Sequence, residues 1–495
     1  MAHRRESIEA LAELCLLIDI ADTLNKSGKR ISRLLIMPDI IISLAEIFRS
    51  QQKQLYMVGG TVRDGLLNRG EAADADLATD ARPDEIKRLV APTCPSAVVL
   101  VGERFGTVRL HYATNIVEIT TFRTERYNTE SRKPEVCFGD SLEEDLSRRD
   151  FTINALARDP LNGHIIDLYH GQQDLEDHIL RAVGREADKR FDEDPLRLLR
   201  AVRFAAQLDF IIEPVTREAI LRQAAKLQKI SRERIRDEMN KLLLSRYPEK
   251  GLNLLVELGL MEWIIPEVLE LRGVSQRTST SVATKDVYAH VLRVVQRTPV
   301  CLQTRWAALL HDIAKPRTKR VEDNKVHFFG HEDIGAYMAR DILKRLHFDR
   351  SFIDSVSLLV KLHMRANAYS SDWTDGAVRR LMLDVGTNLQ DLLDLSQADI
   401  TSYRVDKVAR AAARVAELGE RCQYLKEEAE RIPLRSPLDG NELMALYGRG
   451  PGPWLRLIKD HLLGLVIDGM LSPEDKEEAA KIAGAMLNEI EGRDK

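Results

Sequence analysis

The sequence predicts an α+β protein in which a small mixed domain is followed by a mostly α-helical remainder. Two observations carry this prediction. Between Leu55 and about Leu168, short β-branched runs such as Val98–Val101 and Ile116–Phe122 alternate with glycine turns, which is typical of strands. After Asp192, apolar residues recur at helical spacing almost without interruption.

The length of 495 residues is too great for one hydrophobic core, so roughly three domain-sized units are expected. The polar stretch Ser275–Thr284 separates two helical blocks and indicates a boundary near residue 280. Most histidines follow Asp286. We predict five segments: an N-terminal helical segment over 1–50, the mixed domain over 51–185, a helical region over 186–280, a histidine-rich helical region over 281–410 and a helical tail over 411–495.

The composition is that of a globular protein, with 44% hydrophobic and 30% charged residues. The net charge of −4 argues against a uniformly basic nucleic-acid binder, so any RNA site must be a local patch. The five cysteines include no CxxC pair and predict neither a zinc knuckle nor a disulfide framework. The apolar stretch near Cys15 to Ile18 is interrupted by acidic residues and predicts an amphipathic helix rather than a membrane span. We therefore expect a cytoplasmic protein.

Two carboxylates, Asp74 and Asp76, follow a glycine turn at Gly59-Gly60. On a strand both lie on one face, because side chains alternate. Such a pair can hold two Mg²⁺ ions roughly 3.5–4 Å apart, one activating an attacking hydroxyl and one neutralising a leaving pyrophosphate. The glycine turn is typical of the end of a strand followed by the start of a helix. Such a turn points backbone N–H groups and Arg63 at a triphosphate. Each feature alone is also typical of an ordinary turn.

The turn and the carboxylate pair open a longer series of motifs. Gly-Gly-x-Val-Arg-Asp, a short helix and Asp-x-Asp are followed in order by residues 102–108, 148–155, 193–200 and 232–238. This series resembles the class II CCA tRNA nucleotidyltransferase and poly(A) polymerase family. The resemblance implies a nucleotidyltransferase head with a polymerase-β-like sheet and helices, then helical neck, body and tail domains. It also implies that Asp74 and Asp76 catalyse Mg²⁺-dependent extension of an RNA 3′ end, and that Gly59, Gly60 and Arg63 bind the nucleotide.

Arg149 and Asp150 place a cation beside a carboxylate shortly before Asn154. Alone, this pattern is also typical of an ion pair at the end of a strand or helix. The family resemblance implies instead that the three residues bind the nucleotide and hold its ribose. An aspartate at this place can accept a hydrogen bond from the 2′-hydroxyl and so favours ribonucleotides.

Asp194 and Arg197 are three residues apart, which on a helix sets an acceptor beside a donor fork. Cytosine and adenine each offer an amino donor beside a ring-nitrogen acceptor and match this pair, whereas uracil and guanine leave polar groups unpaired. The resemblance likewise implies base selection here, and Arg200 and Arg203 are expected to bind the nucleotide. A helix N-cap at Asp194 and an i,i+4 pair between Glu193 and Arg197 would explain the same residues locally.

The residues after 122 help to decide which nucleotides a member of this family adds. Residues 123–127 and 132–136 resemble an intact flexible loop, whereas family members that add only two cytidines look truncated there. The resemblance therefore favours template-independent addition of C, C and A from CTP and ATP. A-only addition and poly(A) synthesis stay open as alternatives. The expected partners are tRNA, CTP and ATP, with no DNA and no membrane, and the chain is expected to be a monomer or a homodimer.

A second constellation lies in the histidine-rich region. Its most specific part, Leu309–Pro316, resembles an HD phosphohydrolase domain. Imidazole and carboxylate ligands suit a divalent transition metal such as Ni²⁺, Co²⁺ or Mn²⁺, whose bound water can attack a phosphoester. The resemblance suggests hydrolysis of 2′,3′-cyclic phosphate or 2′-phosphate at RNA ends. The expected ligands are His290, His311, Asp312, His331, His363 and Asp399.

Two alternatives concern this region. The HD site can be degenerate and bind no metal, or the whole chain can be an HD phosphohydrolase whose head only binds RNA, which would make Asp74 or Asp76 dispensable. His327 and His347 match no motif. Residues 437–443 and 451–454 resemble the tail of the same tRNA enzymes and are expected to contact tRNA, with no catalytic role.

Overall fold

The computed structural model describes residues 36–69, 74–101, 106–112, 115–126, 135–139, 141–275, 286–323, 325–400, 405–431 and 434–493. Residues 1–35 of the predicted N-terminal segment, 102–105 of one motif and 127–134 of the predicted loop lie outside these ranges. Contacts divide the chain into two compact units, Met1–Ile230 with Glu257–Trp263 and Ser231–Val256 with Ile264–Lys495. The five predicted segments are finer than this division and stay a prediction. No helix in the described ranges is long and apolar enough to span a membrane.

The strands are short and lie mostly before residue 170. They are β1 Leu55–Val58, β2 Asp74–Thr79, β3 Ala97–Val101, β4 Thr107–Tyr112, β5 Asn115–Thr121, β6 Arg123–Arg126, β7 Glu135–Phe138, β8 Leu156–Arg158, β9 Ile165–Asp167, β10 Ile179–Leu180, β11 Ile211–Ile212, β12 Lys319–Glu322 and β13 Lys325–Phe328.

Helices make up most of the rest, as the apolar spacing predicts. They are α1 Ile36–Ser50, α2 Gly60–Leu66, α3 Pro83–Val90, α4 Leu142–Ser147, α5 Gly171–Glu176, α6 Ala187–Glu193, α7 Leu196–Leu208, α8 Pro214–Gln223, α9 Arg232–Leu243, α10 Pro248–Glu257, α11 Met261–Ile264, α12 Val287–Arg297, α13 Leu302–Leu310, α14 Lys315–Thr318, α15 His331–Arg345, α16 Arg350–Asn367, α17 Asp375–Val385, α18 Leu389–Asp399, α19 Val405–Arg431, α20 Gly440–Tyr447, α21 Pro453–Ile467 and α22 Lys476–Arg493. The predicted α+β fold class is confirmed.

A seven-stranded sheet in the order β3-β4-β5-β2-β1-β8-β9 organises the first unit. Strands β2 and β5 pair in parallel, so that Asp76 lies opposite Glu118, while the other neighbours in this sheet are antiparallel. Strands β6 and β7 form a separate antiparallel pair. The parallel pairing of β2 with β5 brings together side chains that are distant in sequence.

Strand β2 shows how the sheet separates apolar from charged side chains. Ala75 and Leu77 are buried in the core that helices α1 and α3 cover, while Asp74 and Asp76 are exposed on the opposite face. This alternation follows from the two-residue repeat of a strand. The core on the covered side contains Ile40, Leu44, Phe48, Leu55, Leu77, Ile86, Val108, Leu110, Val117 and Ile119.

Several helices begin at a side chain that satisfies a free backbone N–H group. Helix α20 begins at a capping box, because the Asp439 carboxylate accepts from the N–H groups of Asn441 and Glu442 while Glu442 accepts from the N–H group of Asp439. Helices α9, α12, α16 and α17 begin in a similar way, at Ser231, Asp286, Asp349 and Thr374.

Arg305 on α13 holds the end of α9 in the second unit. Its side chain is buried and donates to the backbone carbonyls of Leu243, Ser245 and Pro299. Burial lowers the pKa of the Arg305 guanidinium, with Cys301 acting in the opposite direction. The planar fork of arginine matches such a set of acceptors, which the point charge of lysine cannot reproduce.

Replacing Arg305 with methionine should lower the free energy of unfolding by about 2–4 kcal/mol, because it leaves buried carbonyl groups without donors. Urea unfolding followed by tryptophan fluorescence measures this change, since Trp306 lies next to the substituted position. The matched control is Arg340→Met, which removes an exposed pair with Asp354 and should change the stability by under about 0.5 kcal/mol. Equal effects of the two substitutions would contradict the stabilising role of the buried Arg305 contacts.

Candidate functional site

The turn between β1 and α2 requires glycine at its first position. Gly59 has a φ of +64°, which L side chains rarely adopt, and a Cβ there would lie 2.8 Å from Nη1 of Arg149. Gly60 has no such restriction, because a Cβ there would lie at ordinary contact distance, 3.6 Å from Nη2 of Arg63 and 4.0 Å from Oδ2 of Asp64. The predicted glycine turn is therefore a place where the backbone approaches an arginine closely.

The two predicted catalytic carboxylates lie on one face of β2, as the strand pattern predicts. The N–H group of Asp76 donates to Oγ1 of Thr61 at 2.9 Å, which ties the strand to helix α2. Asp76 reaches solvent, but protein surrounds its carboxylate closely enough that burial raises its pKa, and the negative charge of Glu118 raises it further. A carboxylate whose charged form is disfavoured in this way is a place where a cation is stabilising.

Glu118 is a third carboxylate that the motifs did not identify. It lies opposite Asp76 on the parallel strand β5 and pairs with Arg109, whose Nε lies 2.7 Å from its Oε1. Its position between the buried residues Val117 and Ile119 indicates a strand residue on the other face. Only the pairing of β5 with β2 puts that face beside Asp76, and the pairing is not visible in local periodicity.

Arg63, expected to face a triphosphate, is buried in this structure. It forms a two-point contact with Asp64, at 2.9 and 2.8 Å, and donates from Nη1 to Oδ1 of Asn154 at 2.6 Å. The guanidinium therefore joins helix α2 to the turn that contains Asn154. The expected contact with a triphosphate stays a prediction.

Asp150 lies at the centre of a buried hydrogen-bond network. Its Oδ1 accepts from the Phe151 N–H group and from Nδ2 of Asn154, and its Oδ2 accepts from Nε of Arg200 at 2.7 Å. Burial acts to raise the pKa of Asp150, but Arg200 and Asn154 outweigh it and lower the pKa to about 2. Both oxygens of Asp150 already have partners, so its assignment to the ribose stays a prediction.

Arg149 faces the glycine turn from the other side. It donates from Nη2 to Asp145 at 3.1 Å and from Nη1 to the carbonyl of Asn154 at 3.3 Å. Its Nε is buried, and no acceptor within the described ranges reaches it. A buried donor without an acceptor is costly, so a ligand oxygen at this place would be stabilising.

Asp194 and Arg197 lie where helix α7 begins. Asp194 is extended, and its Oδ1 accepts from the Leu196 N–H group at 3.1 Å, so it caps a helix that starts one residue later than expected. Arg197 is buried and donates to Glu193 at 2.9 Å, which is the i,i+4 pair that the spacing allowed. It also donates to the carbonyls of Arg190 and Arg148. Base selection by this pair stays a prediction.

The six expected ligands of the second unit converge on one buried centre. Nε2 of His290 lies 2.9 Å from Oδ1 of Asp399 and 3.3 Å from Nε2 of His311. Asp399 is the most exposed of the six, with 19% of its side chain accessible. The ligands come from separate elements: His290 from α12, His311 and Asp312 from the end of α13, His331 from α15, His363 from α16 and Asp399 from α18.

Asp312 belongs to two ligand sets at once. His290, His311 and Asp312 bring three ligand atoms within 4.8 Å of one another, and so do Asp312, His331 and His363. The first set uses the side of Asp312 that carries Oδ2, and the second uses Oδ1. The arrangement suits two neighbouring cations with one bridging carboxylate, whereas the sequence alone suggested a metal site without saying how many ions it holds.

Backbone carbonyls orient the imidazole rings of this centre. Nδ1 of His311 lies 2.8 Å from the carbonyl oxygen of Ala308, and Nδ1 of His331 lies 2.7 Å from the carbonyl oxygen of Phe328. An Nδ1–H donor held in this way leaves Nε2 free to bind a metal. In His331, as in His363, Nε2 is buried without a hydrogen-bond partner, and so is Oδ1 of Asp312.

The protonation of His363 and of Asp312 suits metal ligands, whereas Asp312 and Asp399 outweigh burial and raise the pKa of His311. Burial and the neighbouring His311 together lower the pKa of His363 to about 4, so this imidazole is neutral near pH 7. Burial opposes the ionised form of Asp312, but His311 and Lys315 hold its pKa well below the usual value. Nζ of Lys315 lies 2.6 Å from Oδ2 of Asp312. Neutral imidazole and ionised carboxylate are the forms that bind metal.

Family models match three parts of the chain in order. They describe a poly(A) polymerase head domain over residues 55–181, a probable RNA- and SrmB-binding site of polymerase A over 209–271, and an HD domain over 287–404. The head match contains Asp74, Asp76 and Glu118, and the HD match contains the six converging side chains of the second unit, whereas Asp194 and Arg197 lie between the head and RNA-binding matches. Both domain types belong to metal-dependent families, and the second unit contains groups that can hold a metal.

Curated relatives resemble part of the chain. A CCA-adding enzyme of Lactobacillus helveticus is 44% identical over 230 residues, which are 46% of this chain and 56% of that enzyme. A CCA-adding enzyme of Streptococcus sanguinis is 49% identical over 212 residues, which are 43% of this chain and 51% of that enzyme. The matched segment thus spans about half the length of these relatives.

Solved structures share the fold over nearly the whole chain. The Bacillus stearothermophilus CCA-adding enzyme in complex with CTP matches with a TM-score of 0.66 and 26% identity, covering 92% of this chain and 99% of that chain. The Thermotoga maritima CCA-adding enzyme complexed with tRNA has the same fold, with a TM-score of 0.55 and 17% identity, covering 93% and 97%. The resemblance inferred from the motifs is confirmed: the chain contains, in order, the head and RNA-binding domains of the poly(A) polymerase family and an HD domain, and it shares the fold of solved CCA-adding enzymes.

Proposed function

We propose that the chain adds C, C and A to the 3′ end of tRNA from CTP and ATP, with Asp74 and Asp76 as the catalytic carboxylates. The observation that carries this proposal is the solvent-facing group of three carboxylates, Asp74, Asp76 and Glu118, on one face of the sheet. The similarity to CCA-adding enzymes supports this reading over A-only addition or poly(A) synthesis.

The carboxylate group fits Mg²⁺, which prefers oxygen ligands. Bound there, Mg²⁺ would activate the attacking 3′-hydroxyl and neutralise the leaving pyrophosphate. Asp76 would hold its place through the bond from its N–H group to Thr61. Nε of Arg149 offers a buried donor to an oxygen of the nucleotide, and the missing side chain of Gly59 leaves room for Arg149 to approach.

Base selection by Arg197 is compatible with its contacts in the protein. The guanidinium has five N–H donors, and its described bonds to Glu193, Arg190 and Arg148 use three of them. Held in this way, Arg197 would present its remaining donors in one orientation to the ring nitrogen of cytosine or adenine. Asp194 would accept from the amino group that these two bases share.

The second unit supports a further activity, hydrolysis of 2′,3′-cyclic phosphate or 2′-phosphate at RNA ends. The supporting observation is the pair of ligand sets that share Asp312, with Nε2 of His331 and of His363 buried and unpaired. Imidazole nitrogen suits Ni²⁺, Co²⁺ or Mn²⁺, which would supply a water of lowered pKa for attack on phosphorus. Attack of water on the cyclic phosphate with cleavage of the P–O3′ bond would leave a 2′-phosphate and the free 3′-hydroxyl that nucleotide addition requires, and a second attack would release the 2′-phosphate as inorganic phosphate.

The two activities should separate by substitution. Asp74→Ala should lower incorporation of labelled CTP into tRNA by at least about a thousandfold, because the attacking hydroxyl loses its metal site, while hydrolysis of cyclic-phosphate-ended tRNA is unchanged. His311→Ala should have the opposite effects. Both variants are compared with the wild-type protein in the same assay buffer, which contains Mg²⁺ and Mn²⁺. If Asp74→Ala still incorporates CTP at the wild-type rate, the proposed role of the head is wrong.

The HD centre should bind two transition-metal ions in each chain. Metal-free protein titrated with Mn²⁺ and followed by electron paramagnetic resonance should show a coupled pair, which Asp312→Ala removes because it deletes the bridge. His363→Ala should leave one ion, and so should His290→Ala, since each deletes a ligand of only one set. His327→Ala is the matched control and should leave both ions. A single ion in the wild-type protein would contradict the two-ion arrangement.

A further inference from the structure

One phenylalanine ring lies among three of the arginines expected to bind the nucleotide. The guanidinium carbon of Arg203 lies 4.0 Å from the centre of the Phe204 ring, that of Arg63 lies 5.1 Å away and that of Arg200 lies 5.3 Å away. A cation within about 6 Å of an aromatic ring centre is attracted to the electron-rich face of the ring. Phe204 therefore contacts three cationic groups, two on its own helix α7 and one on α2.

The three arginines connect this ring to different parts of the site. Arg63 binds Asp64 and Asn154 beside the glycine turn. Arg200 binds the buried carboxylate of Asp150, and Arg203 donates to the side chain of Gln207. A shift of the ring would therefore be felt in both helices and in the segment that contains Asp150 and Asn154.

The Phe204 ring is itself fixed in place. Only 5% of the residue is exposed, and its ring meets the Phe151 ring edge-on, with centres 5.8 Å apart and an interplanar angle of 80°. Phe151 follows Asp150 in sequence and donates its N–H group to the Asp150 carboxylate. Asp150 and Phe151 are therefore adjacent residues of which the first binds Arg200 and the second contacts the Phe204 ring.

An apolar side chain without a ring could fill this volume but could not attract the cations. The guanidinium groups carry like charges and repel one another at short range. The negative face of an aromatic ring offsets part of this repulsion, whereas an aliphatic side chain such as leucine does not. The presence of a phenylalanine, rather than any apolar residue, therefore affects where the three charges lie.

We propose that Phe204 is a positioning residue for nucleotide binding, which holds the guanidinium groups of Arg63, Arg200 and Arg203 in the arrangement that meets the incoming nucleotide. The proposal rests on the proposed nucleotidyl transfer. Phe204 has almost no accessible surface, so it acts through the arginines and not by touching the substrate. The triphosphate and ribose, which these cations suit, are common to CTP and ATP, so the effect of Phe204 should be the same for both nucleotides.

The first test replaces Phe204 with leucine in the full chain. KM for CTP on tRNA lacking CCA, and KM for ATP on tRNA ending in CC, should both rise by about tenfold, with kcat within about threefold of the wild-type value. The preference for CTP and ATP over UTP should not change, because base selection is assigned to Asp194 and Arg197. Phe210→Leu is the matched control, since Phe210 is a buried ring of the same unit that meets His178 and has no guanidinium over it in the described structure.

The second test keeps the shape of the ring and changes only its charge distribution. Phe204 is replaced in turn by mono-, di- and trifluorinated phenylalanine, because fluorine withdraws electron density from the ring face. Calorimetry should show a graded weakening of CTP and ATP binding across the series, while the melting temperature stays within about 2 °C. A role in packing alone would give no such gradient.

The outcomes distinguish this proposal from the proposed function. If the wild-type protein adds CTP but Phe204→Leu and Phe210→Leu leave KM equally unchanged, the role of Phe204 is wrong and nucleotidyl transfer stands. If the wild-type protein binds CTP without adding it, and fluorination weakens that binding, the proposed function is wrong and the role of the ring stands. If the wild-type protein neither binds nor adds CTP, both are wrong.

Discussion

The buried carboxylate of Asp150 is the interaction on which the rest of the first site depends. It receives Arg200 from helix α7 and Asn154 from its own segment, and Asn154 in turn receives Arg63 from α2. Removing Arg200 would take away the cation that contacts this buried carboxylate and leave it with its neutral hydrogen-bond donors, at a cost of about 3 kcal/mol. Because its folded pKa is lowered to about 2, the network stabilises the fold above about pH 4 and this contribution is lost as the pH falls toward 2.

Local sequence patterns were sufficient to place many of the proposed functional residues. The two-residue repeat of a strand placed Asp74 and Asp76 on one face, and the resemblance to an HD domain identified the six side chains that meet in the second unit. Glu118 was missed because its position depends on which strand pairs with β2, and strand pairing is not local. The position of Asp312 between two groups of possible ligands depends on five helices packing around one point. Phe204 resembles any core phenylalanine in sequence.

The two units offer metals chemically different ligands. The head presents carboxylate oxygens on an open sheet face, whereas the second unit presents mostly imidazole nitrogens at a buried centre. Oxygen ligands suit Mg²⁺, and imidazole suits transition metals, so the two proposed reactions can use different ions without competing for them. Substitutions in one unit are therefore expected to leave the chemistry of the other intact, which makes the two proposals separately testable.

The central claim is that the head adds C, C and A and then stops. Three tRNA transcripts, ending before CCA, after the first C and after CC, are each incubated with labelled CTP or ATP, and the product lengths are measured. We expect CTP to extend the first transcript by two residues and the second by one, and ATP to extend only the third, by one. Extension of any transcript by a long run of A, or failure of CTP to extend the first two, would contradict this claim.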